Sequence, residues 1–362
     1  MLIAVGVIVI VASASLYYLT LPPPPPGKVS IGIFSLGAIT TLTNSAVWLA
    51  DDLGFYEEEG LEVEVMGMAS TPTILQAMAG GEIDLGAVGA QQAFQLAATG
   101  DFPNKVFLGM NGHGAEGVSL IVARKDIATI HDLKGKNFAI SRPGDPMQLI
   151  SIQVLRAMGF DNPEGNINWV GVGSPAARAA GLASGELSAI ATSLMTWVTI
   201  QDDPNLHILV DTDEISKVLP PQVGAVMAST KFIEDNPEII KAFTRAHIRA
   251  YRYFAENKDA WINACLERRP DMTYAQLSTI YDKLTWAVNG GLNPDDWNEA
   301  VNYYYGLPEF EGVPRIGMND WVTTSFVDEV LRDLKLISGA DDPGRAIQGL
   351  FGEIPMVKEE DQ

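Results

Sequence analysis

Residues 70–89 read Ser70-Thr71-Pro72-Thr73-Ile74-Leu75-Gln76-Ala77-Met78-Ala79-Gly80-Gly81-Glu82-Ile83-Asp84-Leu85-Gly86-Ala87-Val88-Gly89. A hydroxyl residue and a proline open a helix, Gly81 closes it, and the apolar run Ile83 to Val88 follows as a buried strand leading to the loop Gly89-Ala90-Gln91. The same order returns later in the chain. Ser174-Pro175 opens a helix, Gly185-Glu186 closes it, and strand Leu187 to Ala191 runs into the loop Thr192-Ser193-Leu194. Both units follow from the unsatisfied backbone groups at helix ends: a hydroxyl accepts from an early N–H, proline has no N–H to leave unpaired, and glycine takes the left-handed turn at the close. Two such units predict two similar open-sheet lobes.

Outward from the repeat, strand and helix alternate. Val29 to Phe34 reads as a strand, Ala46 to Leu53 as a helix stopping at Gly54, Leu61 to Met66 as a half-buried strand and Gln92 to Ala98 as a helix. A second series follows Asp132: strand Asn137 to Ser141, helix Pro146 to Met158, strand Ile167 to Val172, helix Pro175 to Ala183 and strand Ser188 to Thr192. The alternation predicts parallel sheets covered by helices on both faces. After the strand Val223 to Ala228 the character changes, and Pro237 to about Val301 is helical, with breaks near Pro270 and Gly290.

With 362 residues the chain has room for about two domains. Its 47% apolar and 19% charged residues place it among folded chains. The net charge of -21 repels phosphate backbones and excludes a nucleic-acid partner from the leading readings. Cys265 is the sole cysteine, so neither an intrachain disulfide nor a thiolate-rich metal site can form, and its apolar neighbours predict a buried, inert thiol. Leu2 to Leu19 is uncharged and long enough for a bilayer span of about 30 Å. It reads as an uncleaved anchor, with a cleaved signal peptide or a buried helix as alternatives. Pro22 to Pro26 then form an extended spacer of about 15 Å.

Ligands of open α/β sheets sit beyond the carboxyl ends of the strands, where helices capped by Thr71, Ser174 and Asp145 would present N–H groups and positive dipole ends. The candidate ligand-binding residues are Thr40, Asn44, Ser70, Thr71, Gln91 and Asn111 from the first series, and Arg142, Met147, Gln148, Ser174, Ser193 and Trp197 from the second. Arg142 offers a planar fork for a carboxylate, sulfonate or phosphate, with a plain surface arginine as the alternative. Trp197 and Phe34 are suited to sandwich a flat ring or to serve in the core, and His113 lies in the loop Gly112-His113-Gly114. Catalysis finds little support. Gly171-Val172-Gly173-Ser174-Pro175-Ala176 fits a G-x-G-x-x-A pattern, but the acidic residue about 20 positions on falls past the next strand. The four histidines show no metal-ligand spacing. No enzyme activity, cofactor or metal is expected.

Ala50-Asp51-Asp52-Leu53-Gly54-Phe55-Tyr56-Glu57-Glu58-Glu59-Gly60-Leu61-Glu62-Val63 resembles the opening helix and second strand of solute-binding proteins of the nitrate/sulfonate/taurine and thiamine-pyrimidine-precursor class. Gln76 to Gly86, with Gly81-Glu82-Ile83-Asp84, is similar to that family's next step, and Ile130 to Lys136 followed by Phe138-Ala139 resembles its entry into a second lobe. Val226 to Pro237 and Ser325 to Glu329 are similar to its return strand and C-terminal helix. The resemblance implies a two-lobed α/β type II periplasmic-binding-protein fold with crossings near Leu120 to Ala123 and Val223 to Ala228, to which the apolar run Leu2 to Leu19 adds an N-terminal transmembrane helix. The expected layout is a transmembrane anchor at 1–21, a proline-rich linker at 22–28, lobe 1 at 29–124 and 223–340, lobe 2 at 125–222 and a tail at 341–362. The implied function is the extracytoplasmic, membrane-anchored solute-binding component of an ABC importer. Such a component captures a small organic or oxyanion solute by hinge closure, with a permease and an ATPase as partners. An accessory ectodomain of a membrane complex is the alternative. The chain lacks the lipid-attachment cysteine usual in the family and the cysteine-rich iron motif of its pyrimidine-synthesising relatives.

Overall fold

Val29, Ile31 and Ile33 are fully buried at alternate positions of the first strand, and this period of two seats it inside a mixed sheet. The computed structural model describes residues 27–36, 39–40, 45–68, 70–110, 119–143, 146–220, 224–334 and 347–348. The segment 1–21 expected to be an anchor, Pro22 to Pro26 and most of the 341–362 tail lie outside the described residues. Among the described residues no helix is long and apolar enough to cross a membrane.

In chain order the main strands are β1 (Gly27–Leu36), β2 (Ile39–Thr40), β3 (Leu61–Met68), β4 (Leu85–Gly89), β5 (Asn104–Gly109), β6 (Ser119–Arg124), β7 (Asn137–Ile140), β8 (Asn168–Gly171), β9 (Ala189–Ser193), β10 (Leu206–Val210) and β11 (Gly224–Ser229). Gly27 and Lys28, read above as the end of the linker, are the first residues of β1 and pair with Leu61 and Glu62. The first sheet runs β3-β1-β4-β11-β5, with β2 folded back on the end of β1. The second runs β8-β7-β9-β6-β10.

Neither sheet is purely parallel, contrary to the expectation from strand–helix alternation. In the first, β11 is antiparallel to both β4 and β5; in the second, β6 is antiparallel to both β9 and β10. The reason is connectivity: the chain passes between the sheets twice, and each incoming strand threads one position from the edge, against its neighbours. Ser119 to Arg124, expected at the end of lobe 1, therefore belongs to the second sheet.

The internal repeat is present in three dimensions. Helix Thr71–Gly80 and helix Pro175–Ser184 are capped by Ser70 and Ser174, whose hydroxyls accept from Thr73 N and Ala177 N, each at 3.3 Å. Both close on a left-handed glycine, Gly81 (φ 73°) and Gly185 (φ 84°). The cap of the first is Ser70 rather than Thr71. Thr71 is the first helical residue, which places Pro72 second. Strand β4 begins at Leu85, two residues after the expected start, because Asp84 turns back to accept from Ser30 N at 2.8 Å and Ser30 Oγ at 2.7 Å.

The C-terminal helices are Pro237–Glu256, Lys258–Arg268, Tyr274–Tyr281, Pro294–Tyr304 and Ser325–Asp333. They pack on the first sheet and continue, as one apolar body, onto the face of the second sheet that carries Leu120, Val122, Ala139 and Ile190. The opposite face, with Phe138 and Ile140, has its own core closed by Val154 and Leu155 of helix Pro146–Ala157. Cys265 is free and buried, and burial pushes its thiol pKa up, so the inert reading holds.

His247 lies in this apolar body, fully buried, with its ring near Phe243 and edge-on to Tyr251 at 4.6 Å. Burial pushes its pKa down to about 3 from an ordinary 6.5. The unfolded chain takes up a proton below pH 6.5 that the folded chain refuses until about pH 3. Stability contributed at this site therefore falls with pH across that window, by about 1.4 kcal/mol per unit. Urea unfolding at pH 7, 6 and 5 checks this: His247→Phe is expected to flatten the decline relative to wild type, and parallel curves would refute it.

Candidate functional site

Strands β1, β3, β4 and β5 run in one direction, so Leu36, Met68, Gly89 and Gly109 end on one edge of the first sheet, where β11 begins opposite Gly89. In the second sheet β7, β8, β9 and β10 end on one edge, where β6 begins with Ser119 opposite Ser193. In chain order β5, which ends on the first edge, is followed by β6, which begins on the second, and β10, which ends on the second, is followed after helix Thr212–Ser216 by β11, which begins on the first. The two carboxyl edges therefore face each other, which is where an open α/β sheet takes its ligand.

On the first edge the structure brings together Ser70, Thr71 and Gln91. The Ser70 hydroxyl is committed to its helix, being close to Thr73 Oγ1 (2.9 Å) as well as Thr73 N. Gln91 is the second residue of helix Ala90–Thr99, which starts directly off β4. Thr40 pairs with Ser35 at this edge through β2. The Thr40 side chain, Asn44, Asn111, His113, Asp145 and the Phe34 ring lie outside what is described.

On the second edge, Arg142 follows β7 and is exposed, and Met147 and Gln148 occupy the first turn of helix Pro146–Ala157, half-buried. Ser174 is an exposed cap, and Ser193 caps helix Leu194–Ile200 by accepting from Thr196 N at 3.4 Å. Trp197 sits one turn further in, half-buried against the common apolar body.

Sequence reasoning missed Arg178. It is 5% exposed, and its Nη1 donates to Val172 O at 2.7 Å and Gly173 O at 3.3 Å, which holds the turn between β8 and the helix at Pro175. The signal was the helical period that buries Arg178, Ala179 and Leu182 on one face. Pro72 and Pro175 have no N–H, and Thr73 and Ala177 give theirs to the serines. The N–H groups that the first turns of these two helices can turn to a guest are thus those of Thr71 and Ala176, at positive dipole ends. Among the described residues no group of three or more His, Cys, Asp and Glu is placed to hold a metal ion.

Residues 43–260, from just ahead of the first helix to well inside helix Lys258–Arg268's first turn, match the family described as NMT1/THI5 like. The chain belongs to the NMT1/THI5-like family. This NMT1/THI5-like chain is similar to the taurine-binding periplasmic protein of Escherichia coli, 25% identical over 211 residues, which span 58% of this chain and 63% of that one. It is also similar to the formylaminopyrimidine-binding protein of Halalkalibacterium halodurans, 22% identical over 275 residues, or 71% and 79% of the two chains. Among solved structures, a putative sulfonate ABC transporter's periplasmic sulfonate-binding protein from Methylobacillus flagellatus superposes with a TM-score of 0.64 at 22% identity, covering 87% of this chain and 96% of that one. The fold is thus the two-lobed α/β periplasmic-binding-protein fold, with mixed sheets.

Proposed function

We propose that this chain is the solute-binding component of an ABC importer and that it captures a small organic or oxyanion solute between its lobes. What carries the reading is the pair of facing carboxyl edges, each furnished with helix N-termini. Similarity to taurine-, formylaminopyrimidine- and sulfonate-binding proteins supports it. In this reading the first lobe comprises the Gly27-to-Met110 segment and the return from Gly224 to Leu334, and the second lies between them. Ser70, Thr71 and Gln91 meet the solute from one side, and Arg142, Gln148, Ser174 and Ser193 from the other, with Met147 and Trp197 supplying apolar contact. A guest that binds the closed arrangement better than the open one shifts the population towards closure. The uncharged segment Leu2 to Leu19 anchors the chain, the prolines space it from an extracytoplasmic membrane surface, and a permease and ATPase receive the loaded form.

A thermal-shift series with taurine, an alkanesulfonate, nitrate and formylaminopyrimidine tests this. A true solute at one hundred times its Kd is expected to add about 2.7 kcal/mol of stability, or roughly 5 °C in Tm for a chain of this size. No shift with any of the four at millimolar concentration would refute this choice of solute classes.

A further inference from the structure

The two helices on opposite faces of the second sheet both reach the C-terminal helices of the first lobe, and they do so with unequal chemistry. On one face helix Leu194–Ile200 lies against helix Tyr274–Tyr281. Leu194 and Val198 share a continuous apolar body with Leu277 and Ile280, Gln276 Nε2 donates to Val198 O at 3.0 Å, and Arg269 Nη1 lies 2.8 Å from Met195 Sδ. On the other face Tyr303 Oη, in helix Pro294–Tyr304, donates across the lobes to Gln153 Oε1 at 2.7 Å. Gln153 is 9% exposed and stands about 10 Å along its helix from the facing edge. The neighbour Tyr304 is locked among Phe94 and Phe310, which fixes the helix that presents Tyr303.

We propose that Tyr303 and Gln153 are a positioning pair that holds the lobes in the closed arrangement and so sets the affinity for the solute from outside the solute site. The inference rests on the solute-binding reading above. With contacts on both flanks of the second sheet, the space between the facing edges is bracketed. An apolar seam tolerates rolling, because dispersion and burial are not directional. A hydrogen bond is lost once its atoms part beyond about 3.5 Å, so rotation about the seam breaks the Tyr303–Gln153 bond first. A neutral bond of this kind weights the closed state about five-fold, and apparent affinity follows the closed fraction.

The test reads lobe separation in the full chain without ligand. Probes go on Glu82→Cys and Lys134→Cys, both exposed and at the far ends of the two sheets; the buried Cys265 leaves labelling to the introduced thiols. Single-molecule energy transfer is expected to show the ratio of near to far populations falling about five-fold in Tyr303→Phe and in Gln153→Met. The double variant should fall no further, and the Tm of all three should stay within a degree or two of the parent. Unchanged populations, or effects that add in the double variant, would overturn the pairing. Where taurine binds, its Kd should weaken in proportion to the measured fall in the near fraction; a Kd that stays put while that fraction falls would overturn the link to affinity. A chain that ignores taurine counts against that solute alone, since the population ratio is measured without it.

Discussion

Replacing Glu59 by alanine is expected to remove about 3 kcal/mol of folding stability, seen as a lower urea midpoint with an unchanged slope. Glu59 ends the short helix Phe55–Glu58 and is 6% exposed. Arg245 and Arg249 stand one turn apart on helix Pro237–Glu256, and each sends Nη1 to a different Glu59 oxygen, at 2.8 and 2.9 Å. Arg249 also bonds Glu58 and lies over the Phe55 ring at 5.0 Å, and Arg245 reaches Asp333 at 3.1 Å. Like charges one turn apart repel, and Glu59 is the group that answers both. Without it the two largely desolvated guanidiniums lose their shared buried partner and are left to the more exposed Glu58 and Asp333. Breaking a buried pair costs 3–5 kcal/mol; the partial exposure of both arginines puts the loss at about the lower figure. Lys28 and Glu62 form a solvent-exposed pair, so Lys28→Ala is the control and should leave the midpoint in place. Equal midpoints for Glu59→Ala and the control would sink the argument.

Gly109→Ala is expected to be as damaging, at about 3 kcal/mol or more. Gly109 closes β5 on the edge that faces the second lobe, and a Cβ there would stand 2.2 Å from Gly291 O and 2.7 Å from Gly291 C. The obstacle is backbone, so no rotamer relieves it. Gly109 N also donates to Gly290 O at 2.8 Å, and Trp297 Nε1 to Gly291 O at 2.9 Å, so the turn cannot retreat without breaking both bonds. Gly290 and Gly291 are themselves left-handed, at φ 80° and 60°, and their neighbours Ala287, Val288, Asn289 and Leu292 are buried. Gly100 supplies the comparison: its φ is 74° but nothing stands within 4 Å of its Cβ position, so Gly100→Ala should cost only about 1 kcal/mol. Matching urea midpoints for the two glycine variants would show that the close approach to Gly291 is not what constrains position 109.

Much of the fold was legible in particular residues. Ser174, Pro175 and Gly185 announce a helix because each answers a backbone group within four residues of itself, and the structure bears this out atom by atom. The reading slipped by one residue at Thr71, where two adjacent hydroxyls compete and Ser70 alone has the extended backbone a cap requires. Arg142 was singled out and Arg178 was passed over. Arg142 follows β7 and is exposed, whereas Arg178, in the first turn of helix Pro175–Ser184, is buried against two carbonyls, because that face of the helix meets the sheet.

Although strands β5 and β10 went unread, the sequence by itself determined most elements of the two α/β series, that two α/β units repeat, and that a helical block closes the chain. Those follow from hydrophobic period and from caps and turns, whose partners lie nearby along the chain. The tertiary structure alone decided the reversed direction of β6 and β11, the meeting of Glu59 with Arg245 and Arg249, the contact of Gly109 with Gly291 and the bridge from Tyr303 to Gln153. Each joins residues far apart in the chain, and their meeting depends on how whole layers pack, which no local spacing records.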